Sequence, residues 1–87
     1  MLDHNEFVKG FDWVLKKFKN CKVNEYLKCA VSNYQDRLIK RYIEIDKDIS
    51  LTELQKIKYQ SYIEGCLKAC LYVCKIEIDG DVGYAIF

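Results

Sequence analysis

The strongest constraint on the fold is an apolar residue at every third or fourth position through residues 24–45. The residues on this stripe are Leu27, Val31, Tyr34, Leu38, Tyr42 and Ile45. Steps of three and four keep side chains on one face of an α-helix, because the helix turns once in about 3.6 residues. The pattern therefore predicts a long amphipathic helix, capped at Asn24, that packs against other elements along its whole length.

A shorter stripe predicts another helix over residues 5–19, with Asp3 or Asn5 as its cap. The apolar residues that share its face are Phe7, Phe11, Val14 and Phe18. Gly10 lies inside this segment, where glycine costs up to ~1 kcal/mol of helix stability. We therefore expect a close packing contact at Gly10.

The third helix is predicted over residues 51–73. The sequence Ser50-Leu51-Thr52-Glu53 matches a capping box, in which the serine and the glutamate satisfy free backbone N–H groups at a helix start. From Gly65 to Cys74 the helix is apolar on nearly every side, which indicates burial against several neighbours.

The last segment, residues 75–87, changes its apolar period from about 3.6 to 2. Ile76 and Ile78 alternate with charged residues before a turn sequence centred on Gly80. A three-residue loop would place the apolar residues of both strands on one face. We predict a mainly helical α+β fold in one domain, 1–87, with three helices followed by a C-terminal two-stranded antiparallel β-hairpin.

Chain length and cysteine content restrict the class of protein. A chain of 87 residues has room for one core, and such a small core is marginally stable without a disulfide, a metal or a partner chain. Five cysteines, an odd number, without a secretory signal favour reduced thiols in the cytoplasm. The longest apolar run is about half of a membrane span, so we expect no membrane partner.

Three of the cysteines, Cys66, Cys70 and Cys74, recur on one helical face. Paired zinc-binding cysteines usually lie two to four residues apart on a turn, so we interpret this row as small core residues and predict no metal and no cofactor. The single histidine, His4, lies near the start of the chain without a nucleophile that any motif ties to it. We predict no catalytic residue, and hence a protein that is not an enzyme.

A basic cluster on the second helix has two interpretations. Arg37, Lys40 and Arg41 are candidates for binding phosphate groups of a nucleic acid or a nucleotide. Alternatively they form a solvated helix face, where the arginines can pair with Asp36 or Glu44.

Small residues at Ser61, Gly65 and Ala69 form a stripe on the third helix. Such a stripe lets a second helix backbone approach closely. That second helix is either the first helix, through Gly10, or the same helix of another copy. The edge of the predicted hairpin supplies further candidates for self-association, namely Tyr84, Ile86 and Phe87.

The features together predict a small non-enzymatic interaction module. Seven tyrosines, four phenylalanines and one tryptophan suit a binding surface. Residues 1–43 carry a net charge of +4 and residues 44–87 a net charge of −3, which suits association with a copy or a charged partner. We expect a homodimer or higher oligomer that inhibits or regulates another macromolecule, most simply a protein, as phage-type inhibitors and immunity-like proteins do. The alternative is a nucleic-acid or nucleotide-phosphate binding protein that uses the basic cluster.

Overall fold

A computed structural model of the chain describes residues 2–18 and 25–78. Three helices occupy these residues: α1 (His4–Lys17), α2 (Glu25–Lys47) and α3 (Glu53–Ile78). Each coincides with one of the three helical periodicities of the sequence.

Helix α1 begins at an aspartate cap and ends in lysines. The Asp3 carboxylate accepts a hydrogen bond from the Glu6 backbone N–H at 3.2 Å, which satisfies one free donor of the first turn. Lys16 and Lys17 lie in the last turn, where positive charge opposes the helix dipole. Of the two predicted caps, Asp3 is therefore the one used.

Helices α2 and α3 form an antiparallel pair joined by residues 48–52. The Gln60 side-chain amide donates to the Tyr42 carbonyl oxygen at 3.5 Å and to the Asp46 carboxylate at 3.4 Å. Lys56, one turn earlier on α3, donates to the Asp46 carbonyl oxygen at 3.0 Å. Increasing residue numbers on α3 thus meet decreasing residue numbers on α2, as in an antiparallel pair.

Helix α1 runs parallel to α3. At its start, the Asp3 backbone N–H donates to the Ser61 hydroxyl at 2.8 Å. Further along, the Cys66 thiol donates to the Gly10 carbonyl oxygen at 3.4 Å. Residue numbers therefore increase in the same direction along α1 and α3, as in a parallel pair.

Two glycines allow α1 and α3 to pack backbone to backbone. A Cβ atom at Gly10 would collide with the Tyr62 carbonyl oxygen, and a Cβ atom at Gly65 would collide with the Phe7 carbonyl oxygen. Neither backbone oxygen can swing away as a flexible side chain would. The close contact that the sequence predicts at Gly10 is confirmed, and its partner surface is α3.

The core lies where the three helices converge. Its buried members are Val14, Phe18, Leu27, Val31, Cys66, Ala69 and Cys70. In the described part of the chain the backbones of α1 and α2 do not approach each other closely, and each packs along α3 instead. Side chains connect α1 and α2 instead. The rings of Phe18 and Tyr34 meet edge to face, with 6.3 Å between their centroids.

The predicted α+β class is wrong for the described residues, which form helices only, and the first strand of the predicted hairpin is wrong with it. Residues 75–78 continue α3, and no strand occurs within residues 2–18 and 25–78. Two alternating isoleucines, Ile76 and Ile78, are too few to fix a period of two. No glycine or proline interrupts the helix between Gly65 and Gly80, so the helical run of α3 continues to Ile78. The rest of the predicted hairpin, residues 79–87, lies outside the described residues.

The cap of α3 also lies two residues later than the sequence predicts. The Thr52 hydroxyl accepts from the Gln55 N–H at 3.1 Å, and the Gln55 side chain accepts from the Thr52 N–H at 2.9 Å. This is the reciprocal pattern of a capping box. Ser50, predicted as the cap, binds the Asp48 carboxylate and shapes the turn before α3.

Candidate interaction surface

An open groove lies between the first half of α1 and the second half of α2, with α3 as its floor. We call it the α1–α2 groove. Its lining residues are Glu6, Leu38, Arg41, Ile45, Tyr59, Tyr62 and Ile63. It encloses about 350 Å³, within the range of clefts that bind ligands or side chains.

The lining is mainly apolar, with one charged residue at each rim. Glu6 lies on the α1 rim and Arg41 lies on the α2 rim. Leu38 is half-buried and Tyr59 is 47% exposed, whereas Ile45 and Ile63 are buried at the base of the groove. Burial, followed by the nearby Cys66 thiol, raises the pKa of the Tyr62 hydroxyl, so this group stays neutral at physiological pH and can still hydrogen-bond.

The two rims differ in electrostatic balance. On the α1 rim the Glu6 carboxylate accepts from the Lys9 ammonium group at 3.0 Å, so its charge has a partner. On the α2 rim Arg41 makes no ion pair within 4 Å among the described residues. The groove therefore has a salt-bridged carboxylate on one rim and, on the other, a guanidinium group that forms no ion pair with a described residue.

The three phosphate-binding candidates, Arg37, Lys40 and Arg41, are all exposed on α2. Arg37 lies one turn before Arg41 and extends the basic rim of the groove. The predicted pairing with Asp36 or Glu44 is not formed in the structure. The guanidinium groups are thus available to an external carboxylate or phosphate.

The small-residue stripe of α3 is covered by α1. Ser61 is 1% exposed and Ala69 is fully buried, while Gly65 lies against the Phe7 backbone. Of the two partners that the sequence allows for this stripe, the structure supplies the first helix of the same chain. The other self-association candidates, Tyr84, Ile86 and Phe87, lie outside the described residues.

The turn between α2 and α3 projects two large aliphatic side chains into solvent. We call residues 46–54 the α2–α3 turn. Ile49 is 99% exposed and Leu54 is 71% exposed. Three carboxylates against one lysine make the turn acidic; the charged residues are Asp46, Lys47, Asp48 and Glu53. Hydrogen bonds from the Ser50 side chain and backbone hold the pKa of the Asp48 carboxyl below its usual value, so this group is charged at neutral pH.

A second apolar surface lies on the other side of α2, where a shallow depression is lined by Ile39, Tyr42, Glu64 and Leu67. Ile43, one turn after Ile39, is also half exposed. This surface carries one carboxylate and no cation among its lining residues. It is therefore distinct from the α1–α2 groove in both position and charge.

A hydrogen-bonded network links the three helices behind the groove. The Tyr34 hydroxyl accepts from the Trp13 indole N–H and donates to the Cys66 sulfur. Burial is the main cause that raises the pKa of Tyr34 to about 12. The Lys17 ammonium group lies 5.5 Å from the centre of the Tyr34 ring and 6.0 Å from that of Trp13, within cation–π range.

The cysteines and the histidine form no metal cluster among the described residues. Cys66 and Cys70 are buried free thiols, and Cys29 is an exposed one. Burial raises the pKa of the Cys66 thiol, as its apolar neighbours predict. His4 is exposed at the first turn of α1.

Sequence reasoning missed the tyrosines of the groove. Tyr59, Tyr62 and Ile63 follow the helical spacing of the first half of α3, so they could have been placed on one face. Arg41 likewise lies between Leu38 and Ile45 on the apolar side of α2. A cation on the edge of an apolar stripe is the signal that this rim borders a binding surface.

No family model matches the sequence, and neither a curated protein nor a solved structure is significantly similar to it. Among the described residues, none of the helices combines the length and the apolar character that a membrane span requires. The interpretation of function therefore depends on the surfaces described above.

Proposed function

We propose that this protein is a non-enzymatic interaction module of the cytoplasm that binds another protein and thereby inhibits or regulates it. The observation that carries the proposal is the α1–α2 groove. A chain of this size has few apolar residues to spare, yet Leu38, Tyr59 and Tyr62 stay partly exposed in one cleft, whose other aliphatic members, Ile45 and Ile63, are buried.

The composition of the groove suits a protein partner. Tyrosine and arginine are enriched where protein interfaces are strongest, because each combines a large contact area with directed hydrogen bonds. Tyr59, Tyr62 and Arg41 meet in this one cleft. An apolar side chain of a partner would fill the floor, and an acidic residue beside it would pair with Arg41.

Capture from the native host with matched variants tests the proposal. Tyr59→Lys places a charge in the groove, and Ile43→Lys places the same charge on the far side of α2; both native side chains are 47% exposed. We expect the wild type and Ile43→Lys to retain the same protein, and Tyr59→Lys to lose it by at least about tenfold, measured by quantitative mass spectrometry. Equal capture by both variants would refute the role of the groove.

A second candidate function is binding of phosphate groups in a nucleic acid or a nucleotide. The observation that favours it is that Arg37, Lys40 and Arg41 are exposed and form no ion pair with another residue of 2–18 or 25–78. Unpaired guanidinium and ammonium groups gain affinity for phosphates by releasing counterions from the nucleic acid.

Salt dependence tests this candidate. Replacement of all three residues, Arg37, Lys40 and Arg41, by alanine should reduce the slope of log affinity against log salt by about one unit for each lost phosphate contact. Fluorescence anisotropy with labelled DNA and RNA gives that slope. If the wild type binds neither at about 0.1 M salt, this candidate is eliminated.

A further inference from the structure

We propose that the α1–α2 groove accepts the α2–α3 turn of a second copy of this chain, so that two copies assemble symmetrically about a two-fold axis. The inference deepens the proposed function, since it rests on the groove as a binding surface and names an occupant for it.

Apolar matching is the first argument. In the described part of the chain, Ile49 is the most exposed aliphatic side chain, and no neighbouring residue covers it. Leu54, 71% exposed, lies on the same projecting turn. A groove of about 350 Å³, with accessible apolar surface on Leu38, Tyr59 and Tyr62, offers these two side chains the cover that their own chain does not provide.

Charge complementarity is the second argument, and it selects a second copy over an unrelated apolar segment. The α2 rim of the groove carries the unpaired cations Arg37 and Arg41. The turn carries the carboxylates Asp46, Asp48 and Glu53. A turn that enters the groove of another copy brings its carboxylates to that basic rim, where carboxylate and guanidinium groups form strong paired hydrogen bonds.

Symmetry is the third argument. The groove is lined by the end of α2, and the turn begins where α2 ends, so both lie at the same end of the molecule. Two copies that face each other in opposite directions can each place their turn in the other's groove. Such an isologous arrangement forms every contact twice and closes after two copies. The dimer would also cover both grooves, so a protein partner would have to displace the second copy.

The oligomeric state of the full chain tests the inference. Light scattering coupled to size-exclusion chromatography should give about twice the 10.3 kDa chain mass at micromolar concentration. Ile49→Ser should weaken the dimer at least about tenfold, since each dimer loses two buried side chains. Because Ile49 is 99% exposed, its replacement should leave helicity and melting temperature unchanged. Ile43→Ser, on the far side of α2, is the matched control and should leave the dimer intact.

Charge reversal gives a second, independent test. One variant carries Arg37→Glu and Arg41→Glu in the groove, and the other carries Asp46→Lys and Glu53→Lys in the turn. We expect each variant alone to dimerise at least about tenfold more weakly than the wild type, and an equimolar mixture to form a heterodimer, since each groove then meets a turn of opposite charge. Circular dichroism checks that both variants remain helical.

Three results would overturn the inference. They are a monomer at about 100 μM, a dimer that Ile43→Ser disrupts and Ile49→Ser does not, and reversed variants that do not associate when mixed. A monomer whose groove still captures a protein in the Tyr59→Lys comparison would refute the inference and leave the proposed function standing. A dimer that depends on Ile49, without any capture that depends on Tyr59, would refute the proposed function instead.

Discussion

Replacing Gly65 by alanine separates the effect of helix propensity from that of packing, because the two predict opposite signs. In an isolated helix the change would stabilise by about 1 kcal/mol, since alanine restricts the unfolded chain and favours the helix. In this molecule the new Cβ atom would overlap the Phe7 carbonyl oxygen of α1. Helices α1 and α3 must then move apart.

The cost follows from what α1 buries on α3. A separation of 0.5–1 Å forfeits about a quarter to a half of the dispersion energy at a contact. Phe7, Phe11 and Val14 form the apolar face of α1, and burial of such side chains contributes roughly 2 kcal/mol each. The loss is therefore about 1.5–3 kcal/mol, and after the gain in propensity a net destabilisation of about 0.5–2 kcal/mol remains. For a domain of this size the melting temperature should fall by roughly 2–16 °C.

Urea unfolding followed by circular dichroism at 222 nm measures this change. Lys68→Ala, at an exposed position of the same helix, is the control and should stay within about 0.5 kcal/mol of the wild type. Gly10→Ala should destabilise in the same way, and the double variant should lose less than the sum of the two, since the helices are already displaced. An unchanged or higher stability for Gly65→Ala would refute the close packing of α1 on α3.

Three further predictions concern single side chains. The pKa of Tyr34 is about 12 in the folded chain, above the ordinary value of 10, so the free energy of unfolding should fall as pH rises from 10 towards 12. Thermal melts at pH 9 to 11 measure this fall, which should be less steep for Tyr34→Phe. Thr52→Ala should lower the free energy of unfolding, measured with urea, by about 1 kcal/mol, and Ser50→Ala should lower it by less than half of that, because Thr52 is the cap of α3. Equal decreases for the two variants would contradict this assignment. Iodoacetamide should modify Cys29 in the folded protein and Cys66 only in urea, as peptide mass spectrometry would show; rapid modification of Cys66 without urea would contradict its burial.

The sequence predicted the helices because their signals are local. The stripe from Leu27 to Ile45 has one period throughout, and only a helix places all its members on one face. The end of α3 was not predictable in the same way. Ile76 and Ile78 fit a strand by alternation, yet they also continue a helix whose preceding turns are already buried, and the tertiary packing of α3 decides between the two.

The candidate site was predictable only in part. Arg37, Lys40 and Arg41 were recognised as an exposed cluster from their charge alone. The spacing of Ser61, Gly65 and Ala69 showed that a backbone comes close but not which backbone, since α1 and a second copy satisfy the spacing equally well. The groove itself depends on the angle between α1 and α2, which no local pattern in either helix specifies.

The parallel packing of α1 on α3 has a consequence for the order of folding. The hydrogen bonds that Lys56 and Gln60 of α3 form with α2 close loops of 10 to 18 residues, whereas the hydrogen bonds that join the α1 region to α3 span 56 to 58 residues. The longer closure costs about 1 kcal/mol more in chain entropy, so the α2–α3 pair should form early and α1 should dock late. Substitutions at Gly10 should then mainly accelerate unfolding and leave the folding rate almost unchanged. The amino-terminal helix is therefore the element whose departure first exposes the core.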